Sequence, residues 1–409
     1  MSLIEGKIAG IVLDRIRARK SPPAGDSANR AEVSREAIKA VSVREVKMDD
    51  FDQVRDLNLR LGQGPDSLAN WRRLWLENPA LLDGKGDSPI GWTLETSQGV
   101  IGFLGSAPLR YEFEGKSLRA AATCRFAVEP AYRPFSHLLV VSFFRQRNVD
   151  LFLNTTATVP AGKIMMALKA SPLPQPDYGT VLFWVLDPRA FTKEVLKKLG
   201  VKPSLIGAAT AVGSLAIKGE AAFRIRGPKS KRSQFTTREI ALQGIGLGFE
   251  RLWADTAREP GKLSAARTPE IMKWHFDPPG NRRTVKVFGT YAKNELLGYI
   301  IVRYEQSGAE DLRRALVADM LVKNNHPEIL EQLFAAAASS AKNAECHVLE
   351  VMGFPRSVRQ VLLRWKPYSR QYPACPFFFK ARNRELHEKL MDERAWYACP
   401  FDGDSTLWP

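Results

Sequence analysis

Residues 124–170 read CRFAVEPAYRPFSHLLVVSFFRQRNVDLFLNTTATVPAGKIMMALKA, and their order decides the fold. A strand runs as far as Glu129 and stops at Pro130, which has no N–H to give a ladder. HLLVVSFFRQR then reads as a helix, VDLFLNTT as a short apolar strand covered on both faces, and AGKIMMALK as a second helix. A strand, a crossover helix and another strand bring two strands side by side in parallel, so this stretch is the βαβ back of an α/β fold.

Working outward, the strand SLRAAATCRFAVEP follows GVIGFLGSAPLRYEFEG, and Glu114 and Gly115 between them predict a tight hairpin. IGWTLET precedes these as a third antiparallel strand. Before it come a strand VSVREVK, a helix DDFDQVRDLNLRLG opened by acidic residues, and a helix SLANWRRLWLENP. The last carries Leu68, Trp71, Leu74 and Trp75 at core spacing and ends before Pro79. TVLFWVLD, from Thr180, is expected to close this first sheet. The order then repeats: residues 245–400 run through GFERLWADTAR, TPEIMKWHFDPP, TVKVFGTYAK, ELLGYIIVRYE, RRALVADMLV, PEILEQLFAAAASSAKN, CHVLEVMGF, PRSVRQVLLRW and CPFFFKA. Each half sets a Trp-bearing helix ending in Pro ahead of its hairpin. The expected fold class is α/β (α+β), with two tandem domains, each a mixed, mainly antiparallel sheet flanked by helices.

Within the opening stretch, Val128, Pro130, Tyr132 and Arg133 form a V-x-P-x-Y-R run that resembles the end of the fourth strand in GNAT acyltransferases, which move an acyl group from coenzyme A to an amine. The likeness covers about 145 residues of the first half and extends to the second, and the whole chain resembles the tandem GNAT proteins of bacteria. The resemblance implies acetyl-CoA or another acyl-CoA as co-substrate, no metal, and a small-molecule amine acceptor such as an amino sugar. It also implies a loop at a helix N-terminus whose N–H groups and dipole hold a pyrophosphate. The family pattern there is Q/R-x-x-G-x-G/A; from Arg133 this chain reads R-P-F-S-H-L, with Ser136 and Leu138 at the small positions. Val128, Arg133, Ser136 and His137 are the implied cofactor-binding residues, Ser136 expected to cap the helix and present its N–H. The second half has no Arg-led Gly loop, and is expected to complete the acceptor cleft or support the first.

Acyl transfer needs a base for the amine and an acid for the leaving thiolate. Glu129, at the end of the fourth strand, is the candidate base, with a plain surface residue as the alternative. Tyr178, after the helix at 161–169, is the candidate acid, with core packing as the alternative. Asp319, the counterpart of Glu129 in the second half, is the candidate substrate-binding residue, with a structural role as the alternative. Cys124 on the fourth strand reads as apolar filler, and the C-terminal WYACPFDGDSTLWP as a tail folded over the domain.

The chain of 409 residues has a mean hydropathy of -0.23, 44% apolar and 25% charged residues, which excludes a mostly disordered or membrane-embedded protein. Four scattered cysteines with no CxxC disfavour a disulfide framework or a structural zinc. No run spans a bilayer and no secretory leader is legible, so the expected location is the cytoplasm. The net charge of +16 favours polyanionic partners. Residues 3–20 form a basic amphipathic helix, open to packing on the protein itself or to peripheral membrane or protein docking. With the linker after it this makes a leader of 1–41, followed by domains at 42–189 and 241–409 and a basic connector at 190–240. The connector holds 11 basic and 3 acidic residues. Its segment 224–238 admits nucleic acid as a partner, which would suit a tRNA-dependent, Fem-like aminoacyl transferase; a catalytically inactive binding or assembly module is the other alternative.

Overall fold

The computed structural model describes residues 41–64, 66–81, 88–225, 234–257, 259, 261–279, 284–305, 312–372 and 377–408. The expectations for residues 3–20, for the linker after them and for the stretch 226–233 lie outside these residues.

The first sheet is built from β1 (Ser42–Glu45), β2 (Gly91–Thr96), β3 (Gly99–Phe113), β4 (Lys116–Val128), β5 (Leu151–Asn154) and β6 (Ser171–Pro172). The second holds β7 (Thr180–Val185), β8 (Thr236–Ile240), β10 (Val285–Ala292), β11 (Glu295–Glu305), β12 (Arg314–Val322), β13 (Val348–Val351) and β14 (Tyr368–Gln371), while β9 (Ser264–Ala265) pairs β3. β15 (Phe378–Ala381) returns from late in the chain to the first sheet. Both sheets are mainly antiparallel; the parallel pairs are β4 with β5 and β12 with β13. The fold class is the one expected: α/β, two such sheets flanked by helices.

One expectation fails. TVLFWVLD forms a strand, but β7 lies in the second sheet, between β13 and β14, and β15 takes the equivalent place in the first, between β5 and β6. The two sheets therefore correspond strand for strand, β1-β2-β3-β4-β5-β15-β6 against β8-β10-β11-β12-β13-β7-β14, each half lending one strand to the other. Both exchanged strands are apolar and covered on both faces, with Phe183, Trp184, Phe378 and Phe379 all buried, so their patterns fit either sheet equally well.

Helices α1 (Phe51–Arg60) and α2 (Leu68–Trp75) cover one face of the first sheet. Their Trp71, Leu74 and Trp75 meet Phe103, Ala107 and Cys124, whereas Leu68 is left exposed. On the other face α3 (Ser136–Phe144) and α4 (Val159–Ala167) put Leu139, Phe143 and Met165 against Leu94, Leu104 and Phe152. Neighbours Phe103 and Leu104 thus face opposite layers, as the pleat requires. The β3–β4 hairpin turns at Glu114 and Gly115, both with positive φ (50° and 73°), the conformation that a two-residue turn asks for.

The described residues between the two halves are helices and an edge strand. They contain α5 (Pro188–Lys198), capped by Asp187, α6 (Pro203–Ile225), packed back against α5, and the edge strand β8. Beyond β8, α7 (Leu247–Ala257) and α8 (Pro269–Phe276) are the counterparts of α1 and α2, and α9 (Pro327–Asn343) and α10 (Arg356–Leu363) those of α3 and α4; a short α11 (Arg384–Lys389) follows β15.

Candidate functional site

The parallel pair in the first sheet is short. Ala120–Ala122 of β4 pair with Leu151–Leu153 of β5; β5 stops at Asn154, while β4 runs on to Val128 beside β3 alone. The strands part there, and among the described residues the peptide groups of β4 facing that side have no strand to bond beyond Ala122. The Phe126 carbonyl accepts from Gln63 Nε2 at 3.3 Å, and main-chain groups without a strand partner can take up a ligand. Within the parted stretch β4 bulges: Gly105 pairs Cys124 and Phe103 pairs Ala127, so Arg125 and Phe126 oppose Leu104 alone. Arg125 has φ 51°, a left-handed conformation unusual for a side-chain-bearing residue. Its guanidinium donates to the Gly64 carbonyl at 3.0 Å.

The last residues of the chain cross from the end of β5 to this bulge. Thr155 Oγ1 donates to Asp404 Oδ1 at 2.8 Å and Thr156 Oγ1 to the same oxygen at 3.0 Å. Gly403 lies against Thr155, with φ 108° and no room for a Cβ, which would fall 2.3 Å from that side chain. Farther on, Leu407 is buried in the cluster around Trp71, Phe103 and Cys124, its carbonyl accepting from Arg73 at 2.6 Å, and the Arg125 guanidinium stacks over Trp408 at 4.1 Å. His275 Nε2 meets Thr406 Oγ1 at 2.6 Å. Burial, helped by Arg73, pushes the His275 imidazole well below its ordinary pKa, so it is neutral.

Asp404 is a carboxylate at the parting of β4 and β5. Burial pushes its carboxyl up to about 6, against the two threonine hydroxyls, which favour the charged form. A buried carboxyl with a pKa near neutrality suits proton transfer. Sequence reading misses it: a tail folded over the domain is all that the residues suggest, and nothing local in DGDS signals that Thr155 lies opposite, 249 residues away.

The structure distributes the sequence candidates widely. Glu129 follows β4, ion-paired with Arg60 at 3.0 Å at the protein surface. Val128 is half-buried against the α3 layer. Arg133 is exposed in a 3-10 turn, Pro130–Phe135, that runs straight into α3. Ser136 does not cap this helix: its Oγ donates to the Arg133 carbonyl at 2.7 Å and its N–H is bonded to the same carbonyl. His137 is exposed, with Nδ1 2.9 Å from the Pro134 carbonyl. Because Pro130 and Pro134 have no N–H, this turn offers a phosphate few backbone donors. Tyr178 is buried, edge-on to Phe377 and beside Gly353 of the second half; no described contact links it to Glu129.

The second sheet parts in the same way. Arg314–Leu316 pair with Val348–Glu350, β12 runs on to Val322, and Ala318 is the extra residue of a bulge. Here the chain's own C-terminal segment closes the gap. Tyr397 Oη donates to the Met320 carbonyl on β12, and Phe354, after β13, donates its N–H to the Ala398 carbonyl at 2.7 Å. Asp319 is fully buried at this closure. Arg267 Nε and Nη2 bond its carboxylate at 3.0–3.2 Å, Tyr299 Oη donates at 2.7 Å, and Cys399 Sγ lies 3.3 Å away. Burial opposes the Arg267 charge, but Asp319 and Asp402 outweigh it and hold its pKa above the ordinary value. Asp319 therefore faces no cleft that a substrate can enter, and the site brings it together with neither Glu129 nor Tyr178.

Cys124, Cys346 and Cys399 are unpaired and buried, and burial pushes the Cys124 thiol well up, which suits an apolar filler. Among the described residues no group of three or more His, Cys, Asp or Glu side chains is placed to hold a metal ion.

The sequence matches no family model and no curated protein. Solved structures are similar in fold. A GCN5-related N-acetyltransferase from Anabaena variabilis aligns over 84% of this chain and 73% of its own, with a TM-score of 0.54 at 11% identity. Saccharomyces cerevisiae N-myristoyltransferase with bound myristoyl-CoA aligns over 84% of this chain and 79% of its own, with a TM-score of 0.53 at 13% identity. An Enterococcus faecalis protein described as a probable N-acyltransferase aligns over 83% and 72%, with a TM-score of 0.51 at 10% identity. The chain thus has the fold of GNAT acyltransferases.

Proposed function

We propose that this protein is an acyl-CoA-dependent N-acyltransferase whose acyl donor lies between β4 and β5 of the first sheet. The observation that carries the reading is the parting of these strands around the bulge at Arg125 and Phe126, where main-chain groups of β4 are free of a strand partner. The fold neighbour with myristoyl-CoA bound supports an acyl-CoA as the ligand class. Main-chain donors at a bulge are well suited to polarise a thioester carbonyl, because they are fixed before the charge develops.

In this reading Asp404 takes the proton from the acceptor amine, since it stands at the parting and its pKa of about 6 leaves it charged at neutral pH. Thr155 and Thr156 orient it. Glu129, ion-paired with Arg60 just past the end of β4, is the second candidate for the base. Arg133 and His137 hold the donor's phosphates with side chains, in place of the backbone N–H groups that Pro130 and Pro134 do not supply. Tyr178, buried in the core edge-on to Phe377, is left a packing role. The acceptor is a small amine, with an amino sugar as the first class to screen. The second half, its gap closed by residues 397–399, buttresses the first.

Isothermal titration with acetyl-CoA and with a longer acyl-CoA tests the donor. Saturable binding that Arg133→Ala weakens about tenfold is expected, the size of a lost charge-assisted contact. Absence of binding at millimolar ligand contradicts it, and favours the second reading, a binding module that keeps the scaffold without the chemistry. What supports that alternative is the consumption of the Ser136 N–H inside its own turn.

A further inference from the structure

The helical hairpin between the halves is apolar on both sides: Ile217 of α6 packs on the cluster of Phe183, Val185 and Phe191, and the opposite face is aliphatic too. α6 has no charged residue from Pro203 to Ile217. A soluble helix turns its large aliphatic residues inward and its polar ones out. Here Thr210 is buried and Gly213 packs against Thr192 of α5, while Leu205, Val212 and Leu215 are 57%, 73% and 71% exposed. Ala208 and Ala211 lie between them on the same exposed face. Leu199, in the turn that leads into α6, is exposed as well. Isolated surface leucines are ordinary, but a continuous uncharged helix face marks a docking surface.

Charge identifies what docks. Lys193 on α5 and Lys202 at the head of α6 are exposed on the same hairpin. In the sequence Lys218, Arg224, Arg226, Lys229, Lys231 and Arg232 follow the apolar stretch against a single Glu220. The face itself holds only aliphatic and small side chains, without the Trp, Tyr or Arg anchors that protein interfaces concentrate. The chain's own residues 3–20 are a poor cover for it, since they too are basic. An apolar strip on a hairpin that also exposes Lys193 and Lys202 matches an anionic bilayer surface, where aliphatic side chains enter the acyl boundary and lysines meet headgroup phosphates. Among the described residues no helix is long and apolar enough to cross a membrane, which leaves α6 lying along the surface. We propose that the exposed face of α6 docks the protein peripherally on anionic lipid, whatever reaction the first sheet performs.

The test is co-sedimentation of the full chain with vesicles of phosphatidylcholine containing phosphatidylglycerol, and with phosphatidylcholine alone. The proposal expects binding to the anionic vesicles that weakens as salt rises, falls at least about tenfold in Leu215→Asp and in Val212→Asp, and falls in Lys202→Glu. Both aspartates enter a solvent-exposed face, so the variants are expected to melt like the parent. Absence of vesicle binding, or binding that Leu215→Asp and Val212→Asp leave intact, overturns the proposal. So does a parent that is dimeric in solution, binds no vesicles and becomes monomeric in Leu215→Asp, because that assigns the face to a second copy of the chain. Variants that lose their cooperative melt also overturn it, since the face would then be packed.

Discussion

Thr155, just past the end of the central strand β5, donates a 2.8 Å hydrogen bond to Asp404, 249 residues further along the chain. With Tyr397 bound to Met320 on β12, this makes the C-terminal segment pass through both strand partings in turn, closing the second and lining the first. Two gaps of common design thereby acquire different fates.

The tightest point of that path is Gly403. Its φ of 108°, and the 2.3 Å that would separate an added methyl from Thr155, leave no place for a side chain. Gly403→Ala should cost about 2 kcal/mol or more, from backbone strain and displacement of the tail. Urea denaturation checks this; an unchanged midpoint would mean that the tail is not seated against Thr155.

Asp404 makes stability depend on pH in an unusual direction. Its folded pKa, about 6, lies above the ordinary 3.8, so the unfolded carboxyl ionises first. The stability tied to the protonated group is present below pH 3.8 and lost as pH rises through about 6. Asp404→Asn should therefore gain stability relative to the parent across that interval, levelling off above it at about 1–3 kcal/mol. Denaturation curves at a series of pH values for both proteins test it; a difference that is flat with pH would contradict the burial of Asp404. Under the proposed function the same substitution also lowers turnover at neutral pH by about a hundredfold or more, the usual scale for a lost base.

At the second parting, Arg267 and Asp319 form a buried ion pair, both side chains at 0% exposure. Asp319→Ala should destabilise by about 3–5 kcal/mol, because it leaves the buried Arg267 with only Asp402, 3.8 Å away, and Arg267→Met with Asp319→Leu should cost less than the sum of the two single losses. A double-variant cycle by chemical denaturation decides it. Additive losses would mean that the two residues act independently.

Much of this fold is legible in the sequence because its local signals agree with its tertiary contacts. The Glu114–Gly115 hairpin, the Trp71 and Trp75 face of α2 and the repeated order of elements follow from turn chemistry and periodicity alone. The exchange of β7 and β15 does not, because a strand buried on both faces carries no record of its neighbours. Charge counting draws attention to the cations of residues 190–240 and away from the uncharged run 203–217, which is the stronger structural signal there. The site is legible only in part. Glu129 and Arg133 are candidates only through a resembling motif, and the contacts of Asp404 and Arg267 are with partners 249 and 52 residues away, which spacing cannot indicate.

The central claim, that an acyl-CoA occupies the first parting and not the second, is tested most directly by hydrogen–deuterium exchange with and without saturating acyl-CoA. The account predicts slowed exchange in residues 123–138 and 154–163, with residues 317–326 unchanged. Protection at 317–326 with none around Arg125 would contradict it.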